Sequence, residues 1–370
     1  MRAIGTSVRR SLRLLAVAIC VLTFVPLGRG GDAPVVVRVA DDGSAGSEAR
    51  HGASAAAAAA HVHAVDAVGL TVDDVARSTA FFRDVLGFET ASEVEVAGPE
   101  YDRLWGVAGA HARVVRLRLG REELELTEFA TPKGRPYPPD SRSNDRWFQH
   151  VAIVVSDMDR AYARVRPHVR AISTSPQVLP RSNPAAAGIA AFYFRDPDGH
   201  ALELIHFPPG KGDPRWQQPG NRLFLGIDHT AIGVGTTAAS LAFYRDGLGL
   251  RIGGESHNVG PEQARLTGVA GADVRITGLR PPRAIPGVEL LDYAAPTDGR
   301  PYPADAHVND VVHWHTIVAV DDVAEAAATL RRAGYSVPSE IVTLPDRALG
   351  YARAALVRDP DGHVLELVDG

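Results

Sequence analysis

The chain is predicted to be α+β, built from four βαβββ units, and three observations carry that prediction. The second half of the sequence repeats the first at an offset of 162 to 165 residues. A finer repeat divides each half. The segments between turns alternate apolar and polar side chains. Self-similarity at a fixed spacing means repeated supersecondary units, and strict alternation marks a strand with one face buried.

The long repeat has four anchors. F-[FY]-R-D-x-L-G closes residues 72–87 and 234–249, and R-L-x-G-V-A-G-A spans 103–110 and 265–272. G-R-P-Y-P-x-D-x3-N-D-x4-H spans 134–150 and 299–315, and R-D-P-D-G-H-x-L-E-L spans 195–204 and 358–367. The chain is therefore a tandem duplication. Within each half, H-V-A-I-V-V-S-D-M-D-R-A at His150 echoes I-D-H-T-A-I-G-V-G-T-T-A at His229, each an alternating strand followed by a helix start. Val75, Phe82 and Leu86 give the first helix its apolar face, and Gly87 suits the stop after it. Short apolar runs parted by Gly, Pro and Asp then read as antiparallel strands. The four units begin near residues 64, 148, 226 and 312. Pairing neighbours predicts one domain over 62–208, a Pro/Gly-rich linker over 209–223, and a second domain over 224–370.

The first 61 residues read differently. Arg2, Arg9, Arg10 and Arg13 precede an apolar run over 14–27, the pattern of an export signal. That run is short for a spanning helix. Residues 1–31 are therefore expected to direct export to the periplasm or the extracellular space. Both the Sec and twin-arginine routes stay open, as does retention as an N-terminal membrane anchor. Residues 32–61, rich in Gly, Ala and Ser, read as a flexible linker. The lone Cys20 excludes a disulfide framework and a cysteine metal site. A net charge of −5 without a basic stripe argues against nucleic acid as a partner.

The candidate chemistry lies on strands one and four of the units. His229, Ala231 and Gly233 share one strand face, while Ile232 and Val234 point the other way to receive a helix. His315 holds the same place in the fourth unit, with His313 on the same face. Glu289 stands among Val288, Leu290 and Leu291, and Glu366 among Leu365, Leu367 and Val368. A carboxylate inside an apolar strand is costly unless paired or metal-bound.

I-D-H-T-A-I-G-V, the F-Y-R-D-G-L-G helix end and D-P-D-G-H-V-L-E-L resemble the vicinal-oxygen-chelate superfamily, over roughly residues 62 to 370. That superfamily includes glyoxalase I, methylmalonyl-CoA epimerase, extradiol dioxygenases, and fosfomycin- and bleomycin-resistance proteins. The resemblance implies paired units forming cupped, mostly antiparallel sheets around one divalent metal held from strands one and four. Carried over, it assigns His229, Glu289, His315 and Glu366 as the metal set of the second domain. The ion would be Fe, Ni, Co, Mn or Zn, because imidazole and carboxylate ligands suit each of them. The first domain offers Glu125, His150 and Glu203, but Ala67 stands where its first histidine belongs, so that site reads as degenerate. His200 and His363, in the D-P-D-G-H turns, read as turn residues. Arg300 and Tyr302 of the G-R-P-Y-P loop are candidates for substrate binding, with a rigid connector between units as the alternative.

The resemblance further implies glyoxalase- or epimerase-like proton transfer on a small molecule chelated through adjacent oxygens. Glu366 would be the base and Glu289 its counterpart. One alternative is an extradiol dioxygenase. Those enzymes usually carry a tyrosine three positions before the turn aspartate, where the second half has Leu356 and the first half Tyr193. The other is a non-catalytic, bleomycin-resistance-like binding protein. Oligomeric state is not legible.

Overall fold

The computed structural model describes residues 59–283, 286–345 and 347–369. The predicted export signal and nearly all of the linker over 32–61 lie outside the described residues. No helix among the described residues is long and apolar enough to cross a membrane.

All four units are present. Unit one runs β1 (Val62–Thr71), α1 (Val75–Asp84), β2 (Glu89–Ala97), α2 (Pro99–Trp105), β3 (His111–Leu119) and β4 (Glu122–Thr131). Unit two runs β5 (Gln149–Val155), α3 (Met158–Val165), β6 (Arg170–Ala171), β7 (Gln177–Val178), β8 (Ala190–Arg195) and β9 (Ala201–His206). Unit three runs β10 (Phe224–Val234), α4 (Thr237–Leu241), β11 (Arg251–Val259), α5 (Pro261–Thr267), β12 (Asp273–Arg280) and β13 (Gly287–Ala295). Unit four runs β14 (Trp314–Val320), α6 (Val323–Arg332), β15 (Val342–Thr343), β16 (Arg353–Arg358) and β17 (Val364–Asp369). Each first helix starts where a short polar side chain takes up a free backbone N–H of the first turn. Asp74, Asp157, Thr236 and Asp322 do this for α1, α3, α4 and α6.

The strands form two mixed sheets, which confirms the α+β class. One sheet has the order β15-β16-β17-β14-β1-β4-β3-β2, and the other β11-β12-β13-β10-β5-β9-β8-β6, with β7 beside β8. The pairing of units differs from the expected one. β1 pairs antiparallel with β14, and β10 with β5, so unit one shares a sheet with unit four and unit two with unit three. Residues 62–208 and 224–370 therefore do not each close their own sheet; each half gives one unit to both. The neighbours share apolar cores instead. Phe82, Leu86, Ile153 and Phe192 join units one and two in one core, and Phe243, Leu290, Val323 and Leu365 join units three and four in another. Fully burying each such side chain contributes roughly 1.5–3 kcal/mol.

Two crossing loops explain the exchange. The segments between β4 and β5 and between β13 and β14 carry the G-R-P-Y-P motifs and meet back to back. A Cβ on Gly134 would come within 1.9 Å of the Asn309 carbonyl oxygen, and one on Gly299 within 1.9 Å of the Asn144 carbonyl oxygen. Arg135 donates to Asp310 and Asp305, and Arg300 donates reciprocally to Asp145 and Asp140. Tyr137, Trp147, Val311 and Val312 pack into a small core between the loops.

Candidate metal centre in the second sheet

At the centre of the second sheet, two rows of residues run across the strands. One row reads Tyr193, Glu203, Ala152, His229 across β8, β9, β5 and β10. The adjacent row reads Gly278, Glu289, Ala231, His150 across β12, β13, β10 and β5. Each histidine thus faces an alanine on the neighbouring first strand, which leaves room for the ring. Each glutamate comes from the strand beside that alanine. Alternation turns all four side chains to the face opposite the helices.

The four converge. His150 Nε2 lies 3.1 Å from Glu203 Oε2, and His229 Nε2 lies 3.5 Å from Glu203 Oε2 and 3.4 Å from Glu289 Oε2. Ligand atoms of His150, Glu203 and His229 all fall within 4.8 Å of one another. Both ring nitrogens of His150 are buried; Nδ1 has no partner, and Nε2, though 3.1 Å from Glu203, is not aligned for a hydrogen bond, a costly state for a polar group. Two imidazoles and two carboxylates, with buried nitrogens in want of a partner, fit a single divalent transition ion.

The surroundings orient this set. Asp228 Oδ2 lies 3.0 Å from His229 Nδ1, which turns Nε2 toward the glutamates. Asp228 in turn accepts from the Arg280 guanidinium at 2.8 Å and from the Trp216 indole at 2.9 Å. Burial opposes charge on His229, but Glu289, Asp228 and Glu203 outweigh it and lift the imidazole to about 10 without a metal. Burial likewise raises Glu203, but the two imidazoles hold it below the usual carboxylate range. Burial keeps the Tyr193 phenol neutral, reinforced by the charges of Glu203 and Glu289. A cavity of about 140 Å³ opens here, lined by Tyr193, Glu203, His229, Glu289, Leu266 and Ile276 among others. A larger open groove of about 790 Å³, lined by Thr236, His257, Arg275 and Asp292, holds none of these ligands.

The sequence-derived set is therefore split. His229 and Glu289 lie in this site, joined by His150 and Glu203 from the half expected to be degenerate. His315 and Glu366 lie in the first sheet with Glu125 and Ala67, because β14 pairs with β1. Glu366 is consequently not placed to act with His229 and Glu289. Arg300 and Tyr302 are not in the cavity either: Arg300 is occupied by Asp145 and Asp140, and Tyr302 packs on His363. The connector alternative describes them. His200 and His363 are buried turn residues whose Nε2 atoms reach the Val311 and Gly233 carbonyl oxygens at 2.8 and 2.9 Å. Asp228, Arg280 and Trp216 were not singled out from sequence. The one signal for them is the aspartate immediately before His229, since His150 and His315 follow Gln149 and Trp314.

Comparison with known proteins agrees with this architecture. The profile of the Glyoxalase/Bleomycin resistance protein/Dioxygenase superfamily matches residues 62–204 and again 226–367. A 2-epi-5-epi-valiolone epimerase from an Actinomyces species is 38% identical over 167 residues, which span 87% of that protein and 44% of this chain. Glyoxalase I from Zea mays superposes with a TM-score of 0.54 at 17% identity, over 83% of this chain and 92% of its own. A putative dioxygenase from Bacillus subtilis superposes with a TM-score of 0.52 at 14% identity, over 84% of this chain and 86% of its own. At such identities the structures speak to fold alone. The profile matches, one in each half, carry the assignment: the chain belongs to the Glyoxalase/Bleomycin resistance protein/Dioxygenase superfamily.

Proposed function

We propose that the chain is a metal-dependent epimerase acting on a small hydroxy-ketone, with its centre at His150, Glu203, His229 and Glu289. The clustering of His150, Glu203 and His229, with Glu289 against His229 and three of the four lining a small cavity, is the observation that carries the reading. The 38% likeness to a 2-epi-5-epi-valiolone epimerase supports the substrate class. A divalent ion held there supplies Lewis-acid polarisation of a carbonyl chelated together with its neighbouring oxygen. The protein supplies the rest. Glu289, at 23% side-chain exposure against 6% for Glu203, and with one imidazole contact against two, is the freer carboxylate. It takes the proton from the carbon next to the carbonyl. Glu203 comes from β9, across β5 and β10 from Glu289 on β13, and in this reading returns the proton. The neutral Tyr193 hydroxyl offers a donor to a substrate oxygen. The basic-then-apolar N-terminus supports action outside the cytoplasm.

The test is solvent exchange. Full-length protein reconstituted with cobalt or zinc is incubated in D₂O with 2-epi-5-epi-valiolone. Deuterium should enter next to the carbonyl, and Glu289→Gln should slow this by at least about 100-fold. No exchange with any of the candidate metals would overturn the reading. A ring-cleaving dioxygenase is the second reading, favoured by one observation: Tyr193, three positions before the turn aspartate Asp196, stands beside Glu203 in the complete site. Oxygen uptake with iron and a catechol would select it.

A further inference from the structure

The first sheet carries the same two rows with five changes. Arg116, Glu125, Gly69 and His315 replace Gly278, Glu289, Ala231 and His150. Leu356, Glu366, Ile317 and Ala67 replace Tyr193, Glu203, Ala152 and His229. Both glutamates and one histidine survive, so the loss of one imidazole would not by itself abolish a metal site.

We infer, resting on the metal centre proposed for the second sheet, that the Arg116 guanidinium has taken over the cation's role in the first sheet, so the chain carries one metal centre. Arg116 stands in the register position that Gly278 leaves open beside Glu289. Its side chain is 12% exposed, and its Nε donates to Glu125 Oε2 at 3.1 Å. Its Nη1 donates to Asp66 at 2.7 Å and reaches Glu123 at 3.4 Å. A fixed positive charge bonded to a would-be ligand repels an incoming dication at the shortest range. The second glutamate is engaged too: the Tyr351 hydroxyl donates to Glu366 at 2.5 Å. Ile317 fills the row where Ala152 gave His229 its room, and Ala67 brings no ring to need it. Gly69 lets the His315 ring lie where any Cβ would be, 2.1 Å from the nearest ring atom. His315 stays 3.7 and 3.6 Å from Glu125 and Glu366, with both ring nitrogens unpartnered. Tyr101, Trp105, Leu349 and Leu356 belong to the apolar cluster on this face, with Ala67 and Ile317.

Metal content decides the matter. Full-length wild type, His150→Ala/His229→Ala, and Ala67→His/Arg116→Gly/Ile317→Ala are each equilibrated with zinc, dialysed and analysed by mass spectrometry, with circular dichroism to check folding. The expected zinc per chain is one, none and two respectively. Two ions in wild type, or one retained after loss of both second-sheet histidines, would overturn the inference and leave the proposed function standing. A folded triple variant with no more zinc than wild type would also overturn it. Zinc absent from wild type but gained by the triple variant would sustain the role given to Arg116 and overturn both the count of one centre and the proposed metal centre. Where the triple variant fails to fold, the comparison of wild type with the double variant decides.

Discussion

Asp228 shows how much a residue outside the ligand set governs it. It is buried, and it holds His229 Nδ1 on one side while Arg280 and Trp216 hold it on the other. Burial works against its charge, but His229 and Arg280 keep it ionised well below the usual aspartate range. Asp228→Asn keeps the shape and removes the charge that fixes the imidazole. Metal affinity should fall about 10- to 100-fold, as measured by competition with a chromophoric chelator, while the fold persists. Trp216→Phe removes one donor to Asp228 and leaves His229's own bond in place, so its effect in the same assay should be smaller. Unchanged affinity in Asp228→Asn would mean that β10 alone orients the ring. At this scale the sequence was legible in part. Alternation placed His150, Glu203, His229 and Glu289 on one face of their strands, since period-two geometry is local. The support from Trp216 and Arg280 was not legible, because it depends on a loop and a strand brought together only by folding.

Among the elements, the crossing loops carry the least expected role. Arg300 and Tyr302 look like substrate contacts in sequence, being polar, repeated and set in a Pro/Gly loop. Their repetition has a different cause: the two loops bind each other reciprocally, so each copy needs the other's Arg and Asp. Asp145 is fully buried in its pair with a partly exposed Arg300. Arg300→Ala leaves that carboxylate with the Arg142 guanidinium at 3.5 Å and backbone N–H donors only, and should cost about 2 kcal/mol, a figure reduced for the exposure of the arginine. Zinc content and substrate KM should not change; a KM effect without loss of stability would restore the substrate-binding role. Asp145 and Asp310 also set an acid response. Burial raises both, but hydrogen bonds, with those from Arg300 and Arg135 foremost, outweigh it and hold both below the usual range. Their contribution is therefore complete above the unfolded aspartate value of about 4 and is lost as pH falls through the lower folded values. Thermal melts between pH 6 and 3 should steepen at the acid end, and Asp145→Asn/Asp310→Asn should flatten that slope while lowering stability at pH 6.

For the whole molecule, the repeat disclosed four units but not their partners. All four first strands are apolar and alternating, so β1 with β5 and β10 with β14 is as compatible with the pattern as β1 with β14 and β10 with β5. The choice lies in the crossing loops and in cores assembled from distant residues. No local periodicity records these, which is why the quartet was drawn from one half of the chain when it is drawn from both. The exchange makes each half structurally dependent on the other. Sheet continuity across β1–β14 and β5–β10, the reciprocal arginine clasps and the site itself all join residues 62–208 to residues 224–370. The linker between the halves is exposed at Pro209 and Gly210, before the buried Trp216 that supports Asp228. A protease site inserted between Pro209 and Gly210 should therefore be cut without separating the halves. The nicked protein should elute at its uncut size on gel filtration and keep one zinc per chain pair, and the fragments should part only on denaturation. Two separately eluting fragments under native conditions would mean that each half folds on its own, and the paired sheets described above could not then be the arrangement in solution.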